Sequence, residues 1–353
     1  SPEGLAIGDL NRDGRMDVAV ACSGLGTLDV LHQGPDGVLE TGYSLSSGNG
    51  TRAVALGDLN RDGRTDAVTV DSVDKTLSLF LQDSNGDLNL VAKFPTGANP
   101  VAVAVGDISL DGKYEVVVAN KDDSTIEVFV QDQATFLRRS YSNNTGSNPV
   151  SVAIADLNRD GRNDVVVAEQ GSRTIGVFLQ NATGILGSRA SYPTIGSPNW
   201  VATGDLSFDG RADAVAVSAA TNILSVFYQR PDGRLEAAEE YPVGSGPQCV
   251  ATGDFNYDGK LDLAAANTAA NNISVLLMRP TPPGTIPAMQ TVTSPNDPHG
   301  LRIADVNADG LMDIGVAAWT GSVLSVYPQD QSGGLGQRTD YNAGSGACVD
   351  LDL

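Results

Sequence analysis

Short runs of apolar and β-branched residues alternate with polar turns along the whole chain. In one representative stretch the runs cover 52–57, 67–70, 77–81 and 88–94, separated by Gly, Asp and Asn. Runs of this length and composition, bounded by turn residues, predict β-strands. No stretch carries the 3.6-residue apolar spacing of a surface helix. Some runs are apolar throughout, such as Val116-Val117-Val118-Ala119 and Val165-Val166-Val167-Ala168. Strands covered on both faces read this way, whereas a half-exposed strand alternates.

Between the first and second runs lies a polar nonapeptide, Asp-x-(Asn or Ser)-x-Asp-Gly-x-x-(Asp or Glu). It begins at Asp9, Asp58, Asp107, Asp156, Asp205, Asp254 and Asp305, with five steps of 49 residues and a last step of 51. In the first copy Asp9, Asn11, Asp13 and Asp17 offer side-chain oxygens and Arg15 a main-chain carbonyl. The same positions hold Asp58, Asn60, Asp62, Arg64 and Asp66; Asp107, Ser109, Asp111, Lys113 and Glu115; Asp156, Asn158, Asp160, Arg162 and Asp164. The last three copies supply Asp205, Ser207, Asp209, Arg211 and Asp213; Asp254, Asn256, Asp258, Lys260 and Asp262; Asp305, Asn307, Asp309, Leu311 and Asp313.

An all-oxygen set at positions 1, 3, 5, 7 and 9, with Gly at 6 for the sharp turn, is the donor set of a hard cation and predicts about seven Ca²⁺ sites. Mg²⁺ fits less well because it demands a strict octahedron. Transition metals are expected to bring His or Cys, and none lies in the nonapeptides. The third and fifth copies, with Ser at position 3, are expected to be weaker. The competing reading is that Asp, Asn and Gly merely mark turns. Position 2 is always apolar and is expected to anchor the loop in the core. At position 7 only the carbonyl is expected to matter.

A period near 50 residues points to a propeller, a solenoid or an array. Four strands per unit and seven units predict a seven-bladed all-β propeller, with the acidic loop between strands one and two of each blade. The predicted units are 1–48, 49–97, 98–146, 147–195, 196–244, 245–295 and 296–344, with 345–353 as a ring-closing tail of the one domain. An open superhelix is the alternative, but it would need distinct capping repeats.

Segments such as Val54-Ala55-Leu56-Gly57-Asp58-Leu59-Asn60-Arg61-Asp62-Gly63-Arg64-Thr65-Asp66, with their six counterparts, make the chain resemble the FG-GAP (VCBS-type) repeat family, which includes the integrin α-subunit propeller. The resemblance implies Ca²⁺-binding loops, a propeller fold and extracellular adhesion or ligand binding.

The net charge of −21 has a local origin, because the seven nonapeptides hold 21 of the 43 acidic residues. Acidity on this scale, with no basic stripe, excludes nucleic acid as a partner. No apolar run is long enough to span a membrane as a helix. Sites that need abundant Ca²⁺ predict an extracellular setting. The chain opens at Ser1 inside a repeat, which suggests a processed or excised part of a longer exported surface protein. In repeat register, Cys22 and Cys348 fall where the ring would close and predict a disulfide clasp. Three buried thiols are the alternative, and Cys249 stays unpaired in either case.

Residues that vary between units are free for recognition. The unusual ones, Trp200, Trp319, His299, Asp297, Lys121, Glu169 and Arg173, are expected to gather on the face opposite the acidic loops. Trp with mixed polar groups suits a glycan or a protein ligand, and the alternative is that Trp200 and Trp319 merely pack between blades. No nucleophile elbow, zinc motif or phosphate loop occurs, and His32 aligns with a strand position. The sequence therefore predicts a non-catalytic adhesion or ligand-binding module. The alternatives are a carbohydrate-active enzyme such as a polysaccharide lyase, and a structural unit of a surface assembly.

Overall fold

The chain folds as a seven-bladed β-propeller. The computed structural model describes residues 2–35, 39–133, 136–278, 288–305, 310–318, 323–329 and 335–342. Among them are seven antiparallel sheets of four strands, each with its strands in chain order. The second blade consists of Thr51–Gly57, Asp66–Asp71, Thr76–Gln82 and Leu88–Pro95, which are the four expected runs lengthened by one or two residues.

The all-apolar runs became the second strands. Asp66–Asp71, Glu115–Asn120 and Asp164–Glu169 are buried along their entire length, because each is covered by a blade on either side. The core is the set of blade-to-blade interfaces. Between the first two blades, Ala19, Ala21, Leu28 and Val30 meet Val54, Ala67 and Phe80. Full burial of each such Val, Leu or Phe contributes roughly 1.5–3 kcal/mol, so the ring is held by packing between sheets that share no ladder.

Tyrosine hydroxyls add ties across these interfaces. Tyr43 accepts from the Leu88 N–H at 2.8 Å, Tyr141 from Leu186 at 3.1 Å and Tyr192 from Leu235 at 3.2 Å. The first and seventh blades face each other, for the charge of Glu3 in the first acts on His299 in the seventh. No open superhelix forms.

Each first strand is the inner edge of its sheet, and from blade one to blade seven successive first strands pack side by side around a central channel. The turn from first to second strand, where every nonapeptide lies, emerges on one face. The turns from second to third strand and the crossings between blades emerge on the other. Cys22 is fully buried at the end of a second strand, with Sγ 3.3 Å from Asp29 Oδ2, and Cys249 is buried in the first strand of blade six. Cys348, the expected partner of Cys22, lies outside the described residues.

Candidate functional site

In the first loop Asp9 accepts hydrogen bonds from Asp13 N (3.2 Å) and Gly14 N (3.0 Å), and Asn11 Oδ1 accepts from Asp13 N (2.9 Å). Asp13 Oδ1 accepts from Arg15 N at 2.9 Å. The second, fourth and sixth loops repeat this pattern. Gly at position 6 has φ between 76 and 86° in all seven loops, a region closed to most side chains. Position 4 is left-handed as well, at 55–65°, although Arg12, Arg61, Leu110, Arg159, Phe208 and Tyr257 all carry side chains. Asn307 and Asp309 of the seventh loop lie outside the described residues. There Asp305 accepts from Gly310 N at 2.8 Å, and Leu311 is buried.

The position-9 carboxylate is a clamp. Asp66 accepts from Leu59 N and from Gln82 N, both at 2.9 Å, and so ties the loop's start to the end of the third strand. Asp17, Asp164, Asp213 and Asp262 do the same, and Glu115 instead holds Ile108 and Ser109. Burial is the main cause that lifts these carboxyls above the ordinary range. Asp66 and Asp262 rise to about 7, and Asp164 and Asp213 to about 6. The carboxylates at positions 1 and 5 push Asp66, Asp164 and Asp262 further the same way.

Three features escaped the sequence reading. First, the position-7 side chain has work beyond its carbonyl. Arg15, Arg162 and Arg211 pair with Asp13, Asp160 and Asp209, while Lys260 lies 3.5 Å from Asp258. Arg15 and Arg64 also donate Nε to the carbonyls of Gln33 (2.8 Å) and Gln82 (2.9 Å). Second, a glutamine recurs 24 residues after position 1. Gln82 and Gln131 reach back to the position-1 carbonyls of the preceding blade, Asp9 at 3.4 Å and Asp58 at 3.2 Å. Third, a histidine does stand beside a loop: His32 Nδ1 is 3.2 Å from Asp17 Oδ2 and 3.3 Å from Asn11 Nδ2.

The donor chemistry fits a hard cation, since every side-chain donor within the described nonapeptides is an oxygen. Two of those oxygens, Asp107 Oδ1 and Ser207 Oγ, are buried with no hydrogen-bond partner. As they stand, the carboxylates are turned onto main-chain N–H groups, and among the described residues no three acidic, His or Cys side chains converge on one point.

The opposite mouth of the channel is built from two register positions. Six residues before each loop stand Glu3, Arg52, Val101, Val150, Asn199, Gln248 and His299. Arg52 Nη1 is 3.1 Å from Glu3 Oε2, Asn199 donates to Gln248 at 3.3 Å, and His299 Nε2 is 3.2 Å from Asp297 Oδ1. Burial lowers the His299 pKa, which keeps the ring neutral near pH 7. Three residues before each loop, six blades carry alanine and the seventh carries Arg302, whose guanidinium lies 5.0 Å from the Trp200 ring centre. Trp200 belongs to blade five, so this contact reaches past blade six. It bounds a cavity of about 350 Å³ walled by the first strands of blades one to four.

The model of the FG-GAP-like repeat matches at residues 9–69, 59–118, 107–167, 156–216, 209–265 and 254–316. The chain is an FG-GAP-like repeat protein. Its fold is similar to a Bacteroides uniformis protein provisionally titled a 6-phosphogluconolactonase, at 17% identity over 96% of both chains and a TM-score of 0.65. It is similar also to a protein from Lactobacillus plantarum (16% identity, 96% of both chains, TM-score 0.64). A third similar structure is BBS1N, solved in complex with ARL6DN (17% identity, 78% of both chains, TM-score 0.56). No curated protein matches the chain. At these identities the likeness speaks for the fold.

Within the FG-GAP-like ring, the expected recognition residues separate into groups. Trp200 lines the channel cavity with Glu3 and Arg302 and packs against the cores on both sides of blade six, while His299 pairs with Asp297. Lys121 and Asp122 sit in a turn farther along blade three, bonded to Asn99, and Arg173 fills a left-handed turn position at φ 56°. Trp319 lies outside the described residues. Glu169 needs correction, because it ends a second strand, not a loop, and is fully buried. Its carboxylate takes hydrogen bonds from Gly146 N (2.7 Å), Thr174 Oγ1 (2.6 Å) and Arg189 Nε (2.6 Å). Glu169→Leu is expected to cost about 1–3 kcal/mol, by leaving the buried Gly146 N–H without its acceptor. Urea unfolding checks this, and a loss below 1 kcal/mol would return Glu169 to the surface set.

Proposed function

We propose that this chain is a non-catalytic, calcium-stabilised binding module that works outside the cell. Its ligand, a glycan or a protein, meets the face opposite the acidic loops. The observation that carries the calcium reading is the seven-fold oxygen donor set, with buried Asp107 Oδ1 and Ser207 Oγ lacking partners. The residues that would hold the ion are those at positions 1, 3, 5 and 9, with the position-7 carbonyl. An ion there would offset the repulsion among three carboxylates per loop. Loops of this kind with modest affinity suit the millimolar Ca²⁺ outside cells.

The non-catalytic reading rests on the chemistry at the channel mouth. The groups there are paired with one another, Glu3 with Arg52 and His299 with Asp297. The test is binding of labelled protein to an array of glycans and matrix proteins, in calcium and in EDTA. Saturable binding that chelation abolishes is the expected result. Cleavage of any polysaccharide on the array, seen as new reducing ends or unsaturated products, would overturn the non-catalytic assignment.

A further inference from the structure

We propose that the cavity at the channel mouth, bounded by the Trp200–Arg302 contact, seats the terminal residue of an uncharged glycan. This rests on the binding-module reading and narrows it to one site and one ligand class. The cavity, at about 350 Å³, lies at the lower end of small-molecule sites. It has room for one or two sugar rings and not for a folded partner.

Its wall is unusual. The inner edge of each first strand has no neighbouring strand in its sheet, so its outward main-chain N–H and C=O groups face the channel. The wall therefore alternates donors and acceptors at close spacing between small Ala and Val side chains. A sugar hydroxyl both donates and accepts, and a ring of hydroxyls matches such a wall better than a carboxylate, phosphate or alkyl chain does. Charge points the same way. Of the charged side chains lining the cavity, Glu3 is matched by Arg302, so the site favours neither anions nor cations. Trp200 adds an indole surface for the apolar face of a pyranose.

Arg302 is the residue that makes the site particular. It stands where six blades have alanine, so the scaffold does not need it, and it holds the indole across the channel. Arg302→Ala restores the repeat consensus and is expected to leave the ring intact.

The test is isothermal titration in saturating calcium with four neutral trisaccharides (cellotriose, chitotriose, mannotriose and maltotriose) and with trigalacturonate as the acidic control. At least one neutral trisaccharide is expected to bind, with trigalacturonate weaker. Arg302→Ala is expected to weaken that binding at least about tenfold with the melting temperature unchanged. Val101→Trp, which fills the cavity from the opposite wall, is expected to weaken it similarly. Binding that survives both substitutions would overturn this site while leaving the module reading in place. Preference for trigalacturonate, or silence toward all four neutral probes, would overturn the ligand class.

Discussion

Chelation of divalent metal with EDTA is expected to lower the melting temperature by roughly 20 °C or more. Each ion bound only to the folded ring adds about 2.7 kcal/mol when free ligand exceeds its dissociation constant a hundredfold. Several such sites together match the whole stability of an ordinary domain, about 5–15 kcal/mol. The loops explain why the ring would depend on such ions. Each loop leads from the inner strand into the second strand, and wherever position 9 is Asp its carboxylate also holds the end of the third. Loosening one loop therefore loosens three strands. Thermal melting followed by circular dichroism, with and without EDTA, checks this. Magnesium at equal concentration is expected to restore only part of the loss, and an unchanged melt would count against the account.

The pH dependence of stability is expected to reverse sign between the chelated and the calcium-loaded protein. In chelator, Asp66 and Asp262 sit at about 7 and Asp164 and Asp213 at about 6, against an ordinary 3.8. A folded-state pKa above the unfolded value means that the folded protein holds protons the unfolded chain has released. The stability linked to those protons is complete below about pH 4 and is lost as pH rises through 6 to 7. The chelated ring should therefore melt higher at pH 5 than at pH 8, by on the order of 10 °C. With calcium bound the carboxylates must be ionised and protons compete with the metal, so the order inverts and pH 8 is the more stable condition. Melts at both pH values in both buffers decide it. Parallel slopes would show that these carboxyls do not share an ion.

The fold was legible because the signals are local and repeated. Runs such as Val116–Ala119 are apolar on both faces, which only a sandwiched strand tolerates, and the nonapeptide marks every first turn. The candidate site was only half legible. Trp200 and His299 stood out by rarity, but their neighbours did not. Arg302 is an ordinary arginine until it is set against the six alanines of its register. Glu3 and Arg52 become a pair only when blades one and two are placed side by side.

Glu169 misled because an acidic residue near a turn looks exposed. Whether the last residue of a strand points in or out depends on Arg189, twenty residues later. The Gln82 and Gln131 ties to the preceding blade were present in the register, and their meaning required knowing which carbonyls lie one blade back.

The most direct measurement is the number of calcium ions held per chain, by native mass spectrometry or equilibrium dialysis at millimolar calcium. The account predicts about seven ions, with Asp58→Ala and Asp254→Ala each removing one. A chain that remains folded and carries no calcium at that concentration would contradict it.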